Sequence, residues 1–154
     1  TVKPRSELRQ QLDQRFQQAI LMLHANRYEH ALIALDAVLS MDPNMPEAYV
    51  NAGFALIGLE RFQEADQAFS KAIDLRPQLS NAYYGLAVAL KGQGQTRAAI
   101  GAMQIYTHRA DPKDSFYRKA QSAIWEWQEK LKIEAAEESG TEKGKESLPE
   151  SKTG

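Results

Sequence analysis

The chain has 154 residues and a formal net charge of −1. That is enough for one domain, and too balanced to supply the one-signed field that draws a protein to nucleic acid or to an anionic membrane. It holds no cysteine, which removes disulfides, thiol catalysis and thiolate metal sites together.

Residues 1–5 read as a loose lead-in around Pro4. Ser6 is expected to cap a first helix, with Glu7 at its positive end. From there to about Asn26, Leu8, Leu12, Phe16, Ala19, Ile20 and Leu23 recur at three and four, which is helix spacing. A second helix runs from about Tyr28 to Met41 and stops before Asp42-Pro43, because proline lacks the N–H and restricts the residue before it. The scheme then repeats: about Pro46–Leu59 and Phe62–Leu75, ended by Arg76-Pro77; about Ser80–Gln93, with Ser80 as cap, and Thr96–Arg109, ended by Asp111-Pro112. A seventh helix is expected from about Asp114 to Glu138, and residues 139–154, almost without apolar side chains, are expected to be disordered. No segment reads as a strand, and no stretch approaches the roughly 18 apolar residues of a bilayer span. Residues 1–10 are too polar for a signal peptide. The chain starts at Thr1 without Met, which suits an excised domain or a processed form. Cytoplasm and periplasm both stay open, as does anchoring by a segment outside this chain.

The elements share one ruler. Ala31, Ala65 and Ala99 are 34 residues apart, as are Leu35, Phe69 and Met103, and as are Arg15, Tyr49, Tyr83 and Tyr117. Pro43 and Pro77 keep the step, and Pro112 comes one residue late. A fixed period of this length marks one helix–turn–helix unit copied and stacked, an architecture that builds an extended binding surface. Asn26, Glu60 and Gly94 share the turn phase. Asn and Gly suit the left-handed conformation of a helix end, and Glu60 is the uncomfortable one, so its turn is expected to be built differently.

On these residues the chain resembles the tetratricopeptide repeat family. Unit two carries that pattern as Tyr49, Gly53, Ala65, Phe69, Ala72 and Pro77; unit one as Ala19, Ala31, Leu35 and Pro43, with Arg15 in the aromatic's place; unit three as Tyr83, Leu86, Ala87, Ala99 and Pro112, departing at Met103 and Tyr106. The resemblance implies an all-α fold, a right-handed α-solenoid of antiparallel helix pairs spanning residues 6–138. Repeats cover about 12–45, 46–79 and 80–113, and a capping helix about 114–138. Phe116, Ala120, Ala123, Ile124, Trp127 and Leu131 fall on one face of that last helix and should cover the end of unit three. Small residues at the helix–helix contact make Ala65→Leu an overpacking change, expected to cost about 1–3 kcal/mol in a melting experiment.

In this family the first helices of the units line a concave groove that takes peptide segments of partner proteins. The matching phases point to Phe16, Ile20, Val50, Asn51, Phe54, Tyr84, Val88, Lys91, Arg118 and Trp125 as groove residues. The competing reading packs Leu23, Ile57 and Val88 between neighbouring helices. One branch of the family, the heat-shock co-chaperones, grips a terminal carboxylate with Lys, Asn and Arg. Those phases here hold Phe16, Ile20, Asn51, Asn81 and Gly85. Only the Asn survives, so there is no charge-assisted grip and that ligand class is rejected. The groove is instead apolar and suits a short helix or an extended apolar segment, with Lys91 and Arg118 favouring an acidic residue at one end.

No catalytic constellation appears. His24, His30 and His108 lie in different elements without metal-ligand spacing, and Gly92-Gln93-Gly94 is a helix–helix turn with no preceding strand. The expectation is a non-catalytic protein-interaction module, an adaptor or assembly factor, with no cofactor, no metal, no nucleic acid and no membrane insertion. The alternatives are a secretion-type chaperone holding an export client, or a self-associating scaffold.

Overall fold

The computed structural model describes residues 4–146. Among them are seven helices and no strand: α1 (Arg5–His24), α2 (Tyr28–Met41), α3 (Pro46–Gly58), α4 (Phe62–Leu75), α5 (Ser80–Gly92), α6 (Thr96–Arg109) and α7 (Tyr117–Glu146). Each helix packs on its neighbour in sequence, and the odd-numbered helices also pack on one another, α1 on α3 and α3 on α5. The even helices touch the odd ones instead of forming such a row. The odd helices therefore form the inner layer of an α-solenoid and the even helices its outer layer.

The small residues set on the ruler make this stacking close. Ala19, Ala31, Ala65, Ala87 and Ala99 are fully buried, each at a helix crossing. The tightest crossing belongs to Phe69 of α4. Its ring fills the space that a Cβ would need on Gly53 of α3 and on Gly85 of α5, so two inner helices close over one aromatic ring. This ring is the centre of the middle core, with Val50, Leu56, Ala65, Ala72, Ala82 and Ala89 around it. A second core lies in unit one, around Leu12, Ala19, Leu35, Val38, Ala48 and Ala52. A third, of Ala87, Ala102, Met103, Tyr106 and Ala120, sits beneath α7.

The three turns inside the units are built alike. Asn26, Glu60 and Gly94 all have positive φ, at 59°, 57° and 79°. In each, the residue after it donates back into the helix: Arg27 N to Met22 O (2.9 Å), Arg61 N to Leu56 O (2.9 Å) and Gln95 N to Leu90 O (3.0 Å). The expectation of a different turn at Glu60 fails, because this paired closure is stronger than the side chain's distaste for the left-handed region. The joints between units recur too. The Tyr49 hydroxyl donates to the Pro43 carbonyl (2.9 Å) and the Tyr83 hydroxyl to the Pro77 carbonyl (3.3 Å). Arg109 adds a second donor to the Pro77 carbonyl at 2.6 Å and lies over the Tyr83 ring.

The ends depart from the sequence reading. Ser6 is not the cap of α1: the helix already starts at Arg5, and the Pro4 carbonyl accepts from Glu7 and Leu8. Ser80 is likewise the first helical residue after Leu79, with no side-chain cap. α7 starts later than Asp114, because the Asp111 and Asp114 carboxylates accept from the backbone of Lys113 and Phe116 and hold a turn there. It also runs on to Glu146, past the expected end at Glu138. Once a helix exists, each added residue gains a backbone hydrogen bond without a new nucleus, and the Thr141 hydroxyl bonds the Glu137 carbonyl at 2.7 Å. The expectation of disorder is thus overturned for residues 139–146, and residues 147–154 lie outside the described part.

Candidate functional site

The inner layer is where α1, α3, α5 and the start of α7 present equivalent positions. Ile20 and Phe16 of α1 are half-buried, Phe16 resting on the first core. On α3, Phe54 is half-buried with its edge against Phe69, ring centroids 5.0 Å apart. On α5, Tyr84 and Val88 rest on the third core. The Tyr84 ring stands edge-on to Tyr106 at 5.3 Å and tilted against Phe116 at 4.9 Å, and burial raises its pKa. These five side chains form a discontinuous apolar row, fixed from behind by the cores and partly open in front. Rigid aromatic anchors of this kind lose little entropy on meeting a ligand.

Val50 does not belong to the row. It is 3% exposed inside the middle core. Its flank of α3 faces the neighbouring inner helix, so the phase that is open at the end of the molecule is filled in its middle. Asn51 is half-buried, and its side-chain amide donates to the Glu47 carbonyl at 2.8 Å. Among the described hydrogen bonds the Asn51 side-chain oxygen and its second N–H make no other contact. Glu47 itself is tied to Arg76.

The cations gather at one end. Lys91, near the close of α5, lies beside Lys130 of α7, and its pKa is lowered by desolvation first and by that like charge second. Glu134 and Glu126 oppose the shift from the same helix. Arg118 is exposed on α7. Trp125 is 67% exposed and lines a shallow surface with Gln121, Ser122 and Glu126 of its own helix. It points away from α5 and α6, so it stands on the open end of the solenoid and not on the apolar row. Phe116 was assigned to packing by its phase, yet it is 41% exposed and extends the row from Tyr84. The phases that it continues hold Ala48 and Ala82, both fully buried, and an aromatic replacing alanine at a tight contact was the available signal.

The outer layer offers a rival. A cleft of about 300 Å³ on the back of α3 is lined by Leu32, Leu56, Asp36, Arg61 and Glu64 among others. One pair of its charges is satisfied internally: Arg61 grips Glu64 through two bonds, at 2.9 and 2.6 Å. That grip lowers the Glu64 pKa, and burial raises that of Asp36. His24, His30 and His108 are exposed and lie on three different helices. Among the described residues no three His, Asp or Glu side chains gather to hold a metal ion. No helix there is long and apolar enough to cross a membrane.

Residues 46–79 match the family model for the tetratricopeptide repeat. They are the unit between Pro46 and the joint after Pro77, where the middle core lies. The chain is similar to two curated rice (Oryza sativa subsp. japonica) proteins, DnaJ protein P58IPK homologs B and A. It is 33% and 32% identical to them over 91 residues, or 59% of this chain, and it spans 19% of their length. Among solved structures it is similar to the type III secretion chaperone SycD of Yersinia enterocolitica in complex with a peptide of the translocator YopD. That likeness has a TM-score of 0.72 at 15% identity and covers 79% of this chain and 95% of that one. It is equally similar, with a TM-score of 0.72 at 16% identity, to the first repeat domain of Spaghetti (RPAP3) bound to an HSP90 peptide, covering 79% and 94%. A type III secretion complex from Aeromonas hydrophila gives 0.74 at 16% identity, covering 80% and 85%. Identities this low carry the fold alone, over 79–80% of this chain. Residues 46–79 thus match one tetratricopeptide repeat, and the solved structures show the fold of that repeat's domains over about four-fifths of the chain, with the packing of unit two recurring on both sides.

Proposed function

We propose that this protein is a non-catalytic interaction module whose inner layer takes an apolar peptide or a short helix of a partner protein. The observation that carries this reading is the row Phe16, Ile20, Phe54, Tyr84 and Val88, half-buried on rigid inner helices and flanked by Lys91. Burying one such side chain fully contributes roughly 1.5–3 kcal/mol before association costs, so a few anchors suffice for a specific complex. The similar domains held with peptides of YopD and HSP90 support a peptide segment as the ligand, and the residues of the row select its chemistry.

The composition of the row favours an apolar client over a terminal carboxylate. The phases that would supply cations hold Phe16, Ile20, Asn81 and Gly85, and Gly85 is closed over by the Phe69 ring. The role of a chaperone holding an insoluble client therefore fits better than that of a heat-shock co-chaperone.

The test uses exposed positions beside the row. A photo-crosslinking amino acid at Gln17 or Asn81 should capture the partner, and one at Glu29 or Gln63 on the outer helices should not. Ile20→Glu should abolish the inner capture while the melting temperature stays near that of the wild type. Equal capture from both layers, or capture indifferent to Ile20→Glu, would remove the inner layer as the site.

A further inference from the structure

α7 carries a stripe that other helices leave open, although its last member, Glu129, is half-buried and accepts from Lys132 one turn on at 3.1 Å. Arg118, Ser122, Trp125 and Glu129 follow one another at steps of four, three and four, the rhythm of side chains that meet a second helix laid alongside. The opposite face of α7 is the packed one: Ala120 is fully buried, and Ala123, Ile124 and Trp127 rest on the third core. On the stripe, Arg118 and Ser122 are exposed and Trp125 is 67% exposed.

The repeat shows what shape belongs there. Ile57 and Lys91 hold the phase of Trp125 in the two units before it. Each meets the next inner helix: Ile57 packs on the core that α5 helps to build, and Lys91 lies beside Lys130 of α7. Trp125 is the same position with no following helix among the described residues, so an α-helix is the fitting cover.

Charge selects which helix. We propose that α7 pairs antiparallel with α7 of a second copy of this chain, about a two-fold axis between Ala123 and Ile124. In that register Arg118 faces the partner's Glu129, and Trp125 lies over the partner's Ser122, a large ring on a small residue. The flanking row agrees, since Lys119 faces the partner's Glu126. A two-fold axis makes every one of these contacts twice. Parallel pairing in register would set Arg118 against the partner's Arg118 and Glu129 against the partner's Glu129, which is unfavourable. Tryptophan and arginine at the centre of a stripe are also the residue types that dominate binding energy at interfaces. This surface is separate from the inner row, so its failure leaves the proposed peptide site standing, and the reverse also holds.

Sedimentation equilibrium of the whole chain, from low micromolar to several hundred micromolar, tests the pairing. The wild type should pass from monomer to dimer across that range. Trp125→Ala should weaken dimerisation at least about tenfold. Arg118→Glu and Glu129→Arg should each weaken it, and the double variant should recover it, because the exchanged charges face each other again. Circular dichroism of each variant checks that the fold is kept. A wild type that stays monomeric throughout overturns the proposal. So does a dimer indifferent to Trp125→Ala, or a double variant no better than the single ones.

Discussion

Units two and three face the same packing problem with different residues at the same phases. In unit two, Phe69 fills the centre, and Gly53 and Gly85 leave room for its ring, with the small Ala72 one turn further on. In unit three, Met103 takes the place of Phe69 and Tyr106 that of Ala72. The bulk has moved by one turn toward α7, which no outer helix follows among the described residues. The middle solution is wholly apolar. The end solution buries a phenol whose hydroxyl lies near the Asp114 carboxylate but makes no hydrogen bond of normal geometry. Burial, with the nearby Asp114 carboxylate second, pushes the Tyr106 pKa up to about 12. A solenoid can thus tolerate a polar orphan at its margin where it admits none at its centre.

Four substitutions sharpen this contrast. Phe69→Ala should be the most damaging, at about 3–5 kcal/mol, because it empties a ring-sized space between three helices that cannot collapse together. Chemical denaturation measures it directly. Gly85→Ala should cost about 1–3 kcal/mol despite alanine's better helix propensity, since its methyl group enters the Phe69 ring. Removal of the ring should undo that penalty, so in the Phe69→Ala background the same change should turn neutral or stabilising. Tyr106→Phe should do the opposite of an ordinary core mutation and stabilise the protein by about 1 kcal/mol, because it deletes an unpartnered hydroxyl.

The alkaline limb gives an independent reading of Tyr106. Its folded-state pKa of about 12 lies above the unfolded value near 10. The stability linked to its proton is therefore complete below pH ~10 and is lost as pH rises from there through ~12. Stability followed over that window should fall less steeply in Tyr106→Phe than in the wild type; identical slopes would contradict the assignment. The smallest effect belongs to Glu60, the one side chain held at positive φ in a turn that elsewhere uses Asn26 and Gly94. Glu60→Gly should raise stability by about 1 kcal/mol or slightly less, the strain relieved being partly offset by the freer unfolded chain.

The period of 34 made the outer helices readable to the residue. Tyr28–Met41, Phe62–Leu75 and Thr96–Arg109 begin and end where the phases place them, because prolines and turns recur at a fixed distance from the buried alanines. The helix caps were less readable. Ser6 and Ser80 look like caps, but backbone donors close both helix starts without a side chain. The candidate site was legible by row and not by flank. Phase puts Val50, Tyr84 and Arg118 at equivalent positions, but the neighbouring inner helix buries the first, half-covers the second and is missing beside the third. That difference arises from place in the stack, which a single unit's pattern does not contain. The pinch of Gly53 and Gly85 on Phe69 escaped for a related reason, since its three members come from two units and meet only on stacking.

The tyrosine bonds at the joints bear on how the molecule comes apart. Tyr49 and Tyr83 each tie the start of an inner helix to the carbonyl six residues upstream. Tyr117 keeps their phase, but the proline before it has slipped to Pro112, and among the described hydrogen bonds its hydroxyl makes no such tie. The last joint is therefore the weakest seam of the stack, and unravelling should begin there. Amide hydrogens early in α7 should exchange before those of α3 and α5, and the repeats should then be released in order from that end toward the middle.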